Sequence, residues 1–202
     1  YNEDYFIKNI SKYTILVPHL YLDLSSKLIG QAKNLKYLFT PSTGTNHIDL
    51  QAVKENDINF YCLSDNADFI SEISSTAELA WLLILSANRR IIPLNRRVIS
   101  ENSWKNNDIR GYQLKNKTIG IIGFGRLGKM VYEYAKSFDM NILIYDIDEN
   151  SVLGYENHVI DFDGLIKSSD IITLHPKLNE TSFEMINKRS IGLMKDGVII
   201  IN

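Results

Sequence analysis

The stretch KTIGIIGFGRLGKMVYEYAKSF, residues 117–138, limits the fold more than any other part of this 202-residue chain. A β-rich run, TIGII (118–122), meets glycines at 123, 125 and 128 and passes directly into a helical pattern from about Arg126 to Phe138. A strand that feeds a helix in this way is joined to its next strand by a crossover, and crossovers build parallel sheets. The same alternation runs along the whole chain. Strands are predicted at 13–17, 36–40 and 58–62, with helices at 24–33 and 48–56. After the glycine stretch, strands are predicted at 141–145, weakly at 158–160, and at 170–174 and 197–201, with helices at 161–169 and 187–195. The chain contains no internal repeat and no low-complexity tract.

Between the two series lies TAELAWLLILSANRRIIPLNRRVIS (76–100). Its apolar residues at 79, 82, 83, 85 and 87 predict a largely buried helix, with Ser75 or Thr76 as its cap. Pro93 predicts a kink or an interruption. A polar stretch, ENSWKNNDIRGYQLKN (101–116), follows, and the domain crossover is expected in this helix and loop.

G-x-G-x-x-G alone is a weak signal, but here it follows a strand, opens a helix and precedes a second strand that ends in an acid. Gly123 lets the chain turn tightly. Gly125, without a Cβ, lets a diphosphate approach the backbone. Gly128 lets the helix pack closely on the strand. Phosphates would accept bonds from free amides at the positive end of the helix. Asp146, about twenty residues on, stands where a carboxylate can accept bonds from an adenosine ribose. It would repel the extra phosphate of NADP, and the following IDEN brings no arginine to receive that phosphate, so NAD is the expected cofactor. The competing reading is a structural glycine turn beside a surface aspartate.

Composition narrows the partners. A net charge of −2 carries no basic excess toward nucleic acid or an anionic membrane. The pairs Arg89-Arg90 and Arg96-Arg97 read as a solvated helix face. The longest apolar run, Leu79–Leu85, is too short to span a membrane. The single cysteine, Cys62, excludes an internal disulfide and fits a reducing, cytoplasmic setting; it reads as a small buried hydrophobe or, alternatively, a nucleophile. The opening YNEDYFIKNISKY is acidic, lacks the regions of a signal peptide and has no initiating methionine, so an incomplete or processed N-terminus is expected.

With these residues placed, the chain resembles the D-isomer-specific 2-hydroxyacid dehydrogenases, the group that includes D-3-phosphoglycerate dehydrogenase. The likeness covers nearly the whole chain. It rests on LKYLFTPSTGTNHIDL (35–50), STAELAWLLILSANRRI (75–91), SWKNNDIRGYQLKNKTIGIIGFGRLGKMV (103–131), ILIYD (142–146) and SDIITLHPKLNETSFEMINKRSIGLMKDGVIIIN (169–202), in the family's order. The resemblance implies an α/β fold with a Rossmann-type parallel-sheet NAD domain, residues 89–202, and part of a flavodoxin-like α/β substrate domain, residues 1–88. It implies that amides around Thr43, Gly44 and Thr45 hold a substrate carboxylate; the residues alone also fit a plain βα turn with Asp49 starting a helix. For the cofactor it implies Arg126 and Leu127 in the pyrophosphate turn, Asp146 on the ribose, the loop from His175 and Pro176 to Thr181 beside adenosine and phosphates, and Thr76 near the nicotinamide. The loop HPKLNET is one residue shorter than the family's usual H-x-P-x-T-x-x-T, and LSDNADFISEIS is long for the family. A homodimer through the NAD domain is implied, with the helix from Thr76 as its interface or as a core element.

The family's reaction moves a hydride between nicotinamide and a 2-hydroxy or 2-oxo acid. It needs an arginine on the substrate carboxylate and a histidine whose pKa a glutamate raises. The family's I-N-x-x-R-G places that arginine about three residues after Ile201-Asn202, and the other two later, so no catalytic residue of the three is expected within these 202 residues. Of the histidines present, His19 or His47 could face a cleft, His158 reads as a strand residue without a partner, and His175 as a cofactor-side residue. The chain therefore reads as truncated, with GVIII as an open apolar edge, weak NAD binding and no turnover. Two rival readings remain: an NAD-sensing binding module of the corepressor type, and a formate dehydrogenase-like enzyme.

Overall fold

Parallel pairing organises both halves of the chain in the computed structural model, which describes residues 3–102 and 109–202. The helices are α1 Glu3–Asn9, α2 Ser26–Ile29, α3 Leu50–Glu55, α4 Ala67–Ser71, α5 Ser75–Asn88, α6 Ile91–Glu101, α7 Arg126–Ser137, α8 Phe162–Ser168 and α9 Lys188–Leu193. The strands are β1 Ile15–Leu16, β2 Tyr37–Thr40, β3 Asn59–Cys62, β4 Thr118–Ile122, β5 Asn141–Tyr145, β6 Ile171–Leu174 and β7 Ile199–Ile201. Part of the polar stretch expected to carry the crossover, and the start of the family-like segment at Ser103, lie outside the described residues.

The first unit, Tyr1–Glu72, holds a three-stranded parallel sheet in the order β1-β2-β3. Alternation along β2 buries Leu38 and Thr40 and exposes Tyr37 and Phe39. Leu38 joins Leu28 and Ile29 of α2 and Ala52 and Val53 of α3 in one core. On the other face Phe39 and Tyr61 stack with ring centroids 5.0 Å apart. The strand predicted at 13–17 pairs only at Ile15 and Leu16.

The second unit, Ile73–Asn202, carries a four-stranded parallel sheet in the order β5-β4-β6-β7. β4 is interior, and Ile119, Ile121 and Ile122 on it are buried. Removing such a side chain from water stabilises by about 1.5–3 kcal/mol. Helices α5 and α7 pack on one face through Ala77, Ala80, Trp81 and Ile84 against Val131 and Ala135. Leu165 and Ile166 of α8 cover the other face against Ile122 and Ile172. The weak strand expected at 158–160 is a short 3-10 turn, Glu156–His158, with one parallel bridge between Val159 and Ile144. That bridge still puts the chain beside β5, at the far side from β6. β7 ends the described sheet on its other side, as an edge strand.

The two units divide between Glu72 and Ile73, whereas the sequence reading divided the chain after residue 88. The difference is α5, whose buried face belongs to the core of the second unit. That face is not the expected one. Leu79, Leu82 and Leu83 are 54%, 57% and 40% exposed, while Ala77, Ala80, Trp81, Ile84 and Asn88 turn inward. A helix apolar all round lets packing choose its buried side. Its N-cap is Ser74, not Ser75 or Thr76, and the Ser74 hydroxyl donates to Glu78 at 2.5 Å. The break ahead of Pro93 falls at Arg89-Arg90, with Arg90 left-handed at φ 56°. A continuous helix would drive the proline ring into the carbonyl of Arg89; ending one helix there leaves Pro93 in the first turn of the next, where it needs no N–H. Arg89, Arg90 and Arg96 are exposed, as expected, whereas Arg97 is half-buried and pairs with Glu101. By length and composition alone Ala67–Asn88, with mean hydropathy 1.3, could cross a membrane. Its helix is interrupted between Ser71 and Ser75, and α5 contributes to the core.

Asp170 ties the amino ends of three strands together. Its carboxylate accepts from the Thr118 amide at 2.9 Å and from Lys195 Nζ at 3.0 Å, and its carbonyl accepts from the Ile199 amide. Burial acts to raise its pKa, but the Thr118 amide and the Lys195 and Lys117 ammonium groups outweigh it and hold the carboxyl below the usual range. A lowered pKa stabilises the fold above the unfolded value and loses that contribution as pH falls through the folded one. Asp170→Asn is expected to lower stability by about 1–2 kcal/mol at pH 7 in urea titrations. The gap should narrow below about pH 4; a gap independent of pH would exclude the ionic account.

Candidate functional site

The glycine turn sits where β4 ends, beside β5 on one side and β6 on the other. The chain passes from β4 to β5 on one side and then crosses back to β6 on the other, which makes the carboxyl ends of β4 and β6 a topological switch point. Gly123 has φ +85°, and a Cβ on it would lie 2.5 Å from Pro176 N and 2.7 Å from the His175 carbonyl carbon. The structure thus brings together Gly123, His175 and Pro176. A Cβ on Gly128 would meet the Gly123 carbonyl oxygen at 2.2 Å. Gly125 differs from both, since a Cβ there would meet nothing within 4 Å. Two glycines are required by neighbouring backbone, and the middle one borders open space at the start of α7. That combination fits a diphosphate, which needs room against the backbone and unpaired amides.

Gly125 is the N-cap of α7 and offers no side-chain cap. The amides of Arg126, Leu127 and Gly128 are first-turn donors that no intrahelical carbonyl can reach. The Leu127 side chain packs against the core, which leaves its amide for a ligand. The Arg126 guanidinium bonds the carbonyl of Ile73, next to the α5 cap, so the charge expected in the pyrophosphate turn is engaged with the α5 entry. Thr76 is exposed in the first turn of α5.

Asp146 directly follows β5 and is half-buried. It accepts from the Phe124 amide at 2.5 Å and from the Asp148 amide at 2.8 Å. These bonds hold the carboxylate at the glycine turn, as a ribose site requires, and leave lone pairs free. Phe124, the unassigned residue between the first two glycines, is wholly buried and packs edge-on against Tyr132 and Tyr155. It anchors the turn from beneath and supplies the amide that orients Asp146. An aromatic in the variable slot was the one sequence signal for it.

His175 follows β6. Its amide donates to the Ile122 carbonyl at 2.8 Å, and its Nε2 lies 2.8 Å from the Thr173 hydroxyl. Burial drives its pKa down to about 4, so the ring is neutral at pH 7. Thr181 stands apart, exposed, with its hydroxyl on Asn179 in a turn of its own. His158 is not partnerless: Nε2 meets the Tyr132 hydroxyl and Nδ1 the Ile142 carbonyl, each at 3.2 Å.

In the first unit the turn after β2 carries Thr43, Gly44 and Thr45. Among the described residues none of their three amides has an acceptor, while the neighbouring Ser42 hydroxyl donates to the Gly44 carbonyl at 2.6 Å. Asp49 caps α3 through the Ala52 amide. The turn is therefore both a helix entry and a run of open donors. His47 Nε2 meets the Thr40 hydroxyl at 3.3 Å, and His19 stacks on Tyr21. Cys62 is half-buried rather than buried, with its thiol against Ser64 and Asp65, because it ends β3 where the chain leaves the sheet.

A depression of about 1160 Å³ lies elsewhere, lined by Lys117, Asp170, Lys195 and the edge strand β7 at the amino ends of the strands. It holds none of the residues above. Among the described residues no cluster of His, Cys, Asp or Glu could hold a metal ion.

Known proteins resemble the chain in sequence and in fold. The model for the D-isomer specific 2-hydroxyacid dehydrogenase NAD binding domain matches residues 81–202, and that for the catalytic domain matches residues 2–106. The chain is 36% identical to a hydroxypyruvate reductase of Thermotoga maritima, over 99% of this chain and 63% of that protein. It is 34% identical to a D-3-phosphoglycerate dehydrogenase of Archaeoglobus fulgidus, over 97% of this chain and 36% of that protein. A D-lactate dehydrogenase of Aquifex aeolicus, solved in complex with NAD and lactic acid, superposes with a TM-score of 0.82 at 30% identity, over 96% of this chain and 57% of that one. The chain thus spans less than two thirds of the length of each of these three.

Proposed function

Because the chain belongs to the D-isomer-specific 2-hydroxyacid dehydrogenase family, we propose that it supplies the NAD site and a substrate-carboxylate turn of an oxidoreductase acting on D-2-hydroxy acids and their 2-oxo counterparts. One observation carries this reading: Gly123 and Gly128 are closed off by backbone while Gly125 faces open space at the start of α7, beside an oriented Asp146. When bound, NAD supplies the carbon that takes or gives the hydride. The first-turn amides of α7 would hold its diphosphate and Asp146 its adenosine ribose. Open amides at Thr43, Gly44 and Thr45 would hold the carboxylate of the acid. In this assignment residues 1–88 serve the substrate and 89–202 the dinucleotide, with α5 tied physically to the second unit.

NADH titrations of the purified chain, followed by its fluorescence, test the cofactor assignment. NADH should bind well ahead of NADPH. Asp146→Asn should weaken NADH about tenfold and narrow its lead over NADPH, since a charge-assisted bond to the ribose is lost. Equal affinity for the two dinucleotides in the unsubstituted chain would exclude the role given to Asp146. We assign the chain a cytoplasmic setting and homodimeric assembly. Leu79, Leu82, Leu83, Ile91 and Ile92 form an exposed apolar tract on α5 and α6, and α6 buries no residue within the chain. Sedimentation showing only monomer at high concentration would exclude this assembly.

A further inference from the structure

Thr173 lies within β6 and is wholly buried. The two-residue repeat of a strand puts it on the same face as His175. Its hydroxyl, 2.8 Å from His175 Nε2, has no other side-chain partner among the described residues. The His175 backbone is fixed as well, through its amide on Ile122 and its carbonyl carbon packed over Gly123. The imidazole is thus held at two points beside the glycine turn, and Nδ1 is left without a partner among the described residues.

Which nitrogen carries the proton then matters. If Nε2–H donated to the hydroxyl, Nδ1 would be a bare lone pair and could donate nothing to an anionic ligand. If the hydroxyl donates to Nε2, Nδ1 carries the hydrogen and can donate to the ligand. We propose that Thr173 is a positioning residue of the dinucleotide site: its hydroxyl donates to His175 Nε2 and fixes the tautomer in which Nδ1–H faces the bound cofactor. This rests on the NAD assignment above. The charged groups of the adjoining elements are Asp146, committed to the Phe124 and Asp148 amides, Arg126, committed to the Ile73 carbonyl, and the exposed Lys177. None of them enters the shift of His175, which comes from burial alone. The ring therefore serves as a neutral donor at constant strength between pH 5.5 and 8.

The test uses the 202-residue chain, Thr173→Val, Thr173→Ser and the same Thr173→Val change in a His175→Ala background. NADH affinity is measured from pH 5.5 to 8, with the His175 tautomer read from its ring nitrogen NMR shifts. The unsubstituted chain and Thr173→Ser should show the Nδ1–H tautomer and a flat pH profile. Thr173→Val should lose the tautomer preference and bind NADH about 5- to 10-fold more weakly, with no such loss in the His175→Ala background. An Nε2–H tautomer in the unsubstituted chain overturns the proposal. So does an unchanged affinity in Thr173→Val, or a loss that persists without His175, which would mark a merely structural effect. Failure of the unsubstituted chain to bind NADH overturns the cofactor assignment itself and this proposal with it.

Discussion

Gly125→Asp should unfold at or slightly above the temperature of the unsubstituted chain and bind NADH at least about a hundredfold more weakly. The two halves of that expectation come from one position. Gly125 has φ −72° and ψ −158°, which any residue adopts, and a Cβ there meets nothing. Aspartate is a favoured N-cap, and its charge suits the positive end of a helix, a gain of about 0.3–1 kcal/mol. The same carboxylate would occupy the room left for a diphosphate, take up the first-turn amides and repel the incoming negative charge. Calorimetry and NADH titration together decide the matter. A stable variant that still binds NADH normally would show that the diphosphate does not lie at α7.

Gly123→Ala should act in the opposite way and destabilise the fold. Alanine at φ +85° costs about 1–2 kcal/mol on backbone grounds alone. Its methyl would stand 2.5 Å from Pro176 N and 2.7 Å from the His175 carbonyl carbon, both backbone atoms that cannot rotate away. Forcing that contact adds about 1–3 kcal/mol. A total near 3 kcal/mol lowers the melting temperature by on the order of 10 °C. A melting point within a degree of the unsubstituted chain would mean that the β6 loop yields freely, and that the wall formed by His175 and Pro176 is not rigid. The contrast between two glycines two residues apart separates a glycine kept for the fold from one kept for the ligand.

Much of this was legible in the residues. TIGII and NILIY form strands over the predicted residues, because both are short, largely apolar runs bounded by turns; β4 is buried along most of its length and β5 at alternate residues. The glycine spacing and Asp146 marked the site because each answers a local demand of the turn. Less legible was the strand at 158–160, where a single bridge at Val159 stands in for a ladder. The burial of α5 was misjudged because Leu79, Leu82 and Leu83 are as apolar as the residues that turn inward; only the partners Val131 and Ala135 select the small face of Ala77 and Ala80. Arg126 likewise gave no hint of its bond to Ile73, a residue 53 positions away in the chain.

The amino-acid sequence by itself determined the alternation of strand and helix, the place of the glycine turn and the acid at the end of the next strand. These are local properties, set by periodicity, by the missing Cβ and by charge. Only the tertiary structure decided which glycine faces a ligand and which faces backbone, that Phe124 anchors the turn while its amide aims Asp146, and that Thr173 holds His175 beside Gly123. The wall over Gly123 depends on β6 lying next to β4, and the Phe124–Asp146 bond on β5 lying on its other side. Parallel neighbours meet across crossovers, so these contacts join residues about fifty and 22 positions apart.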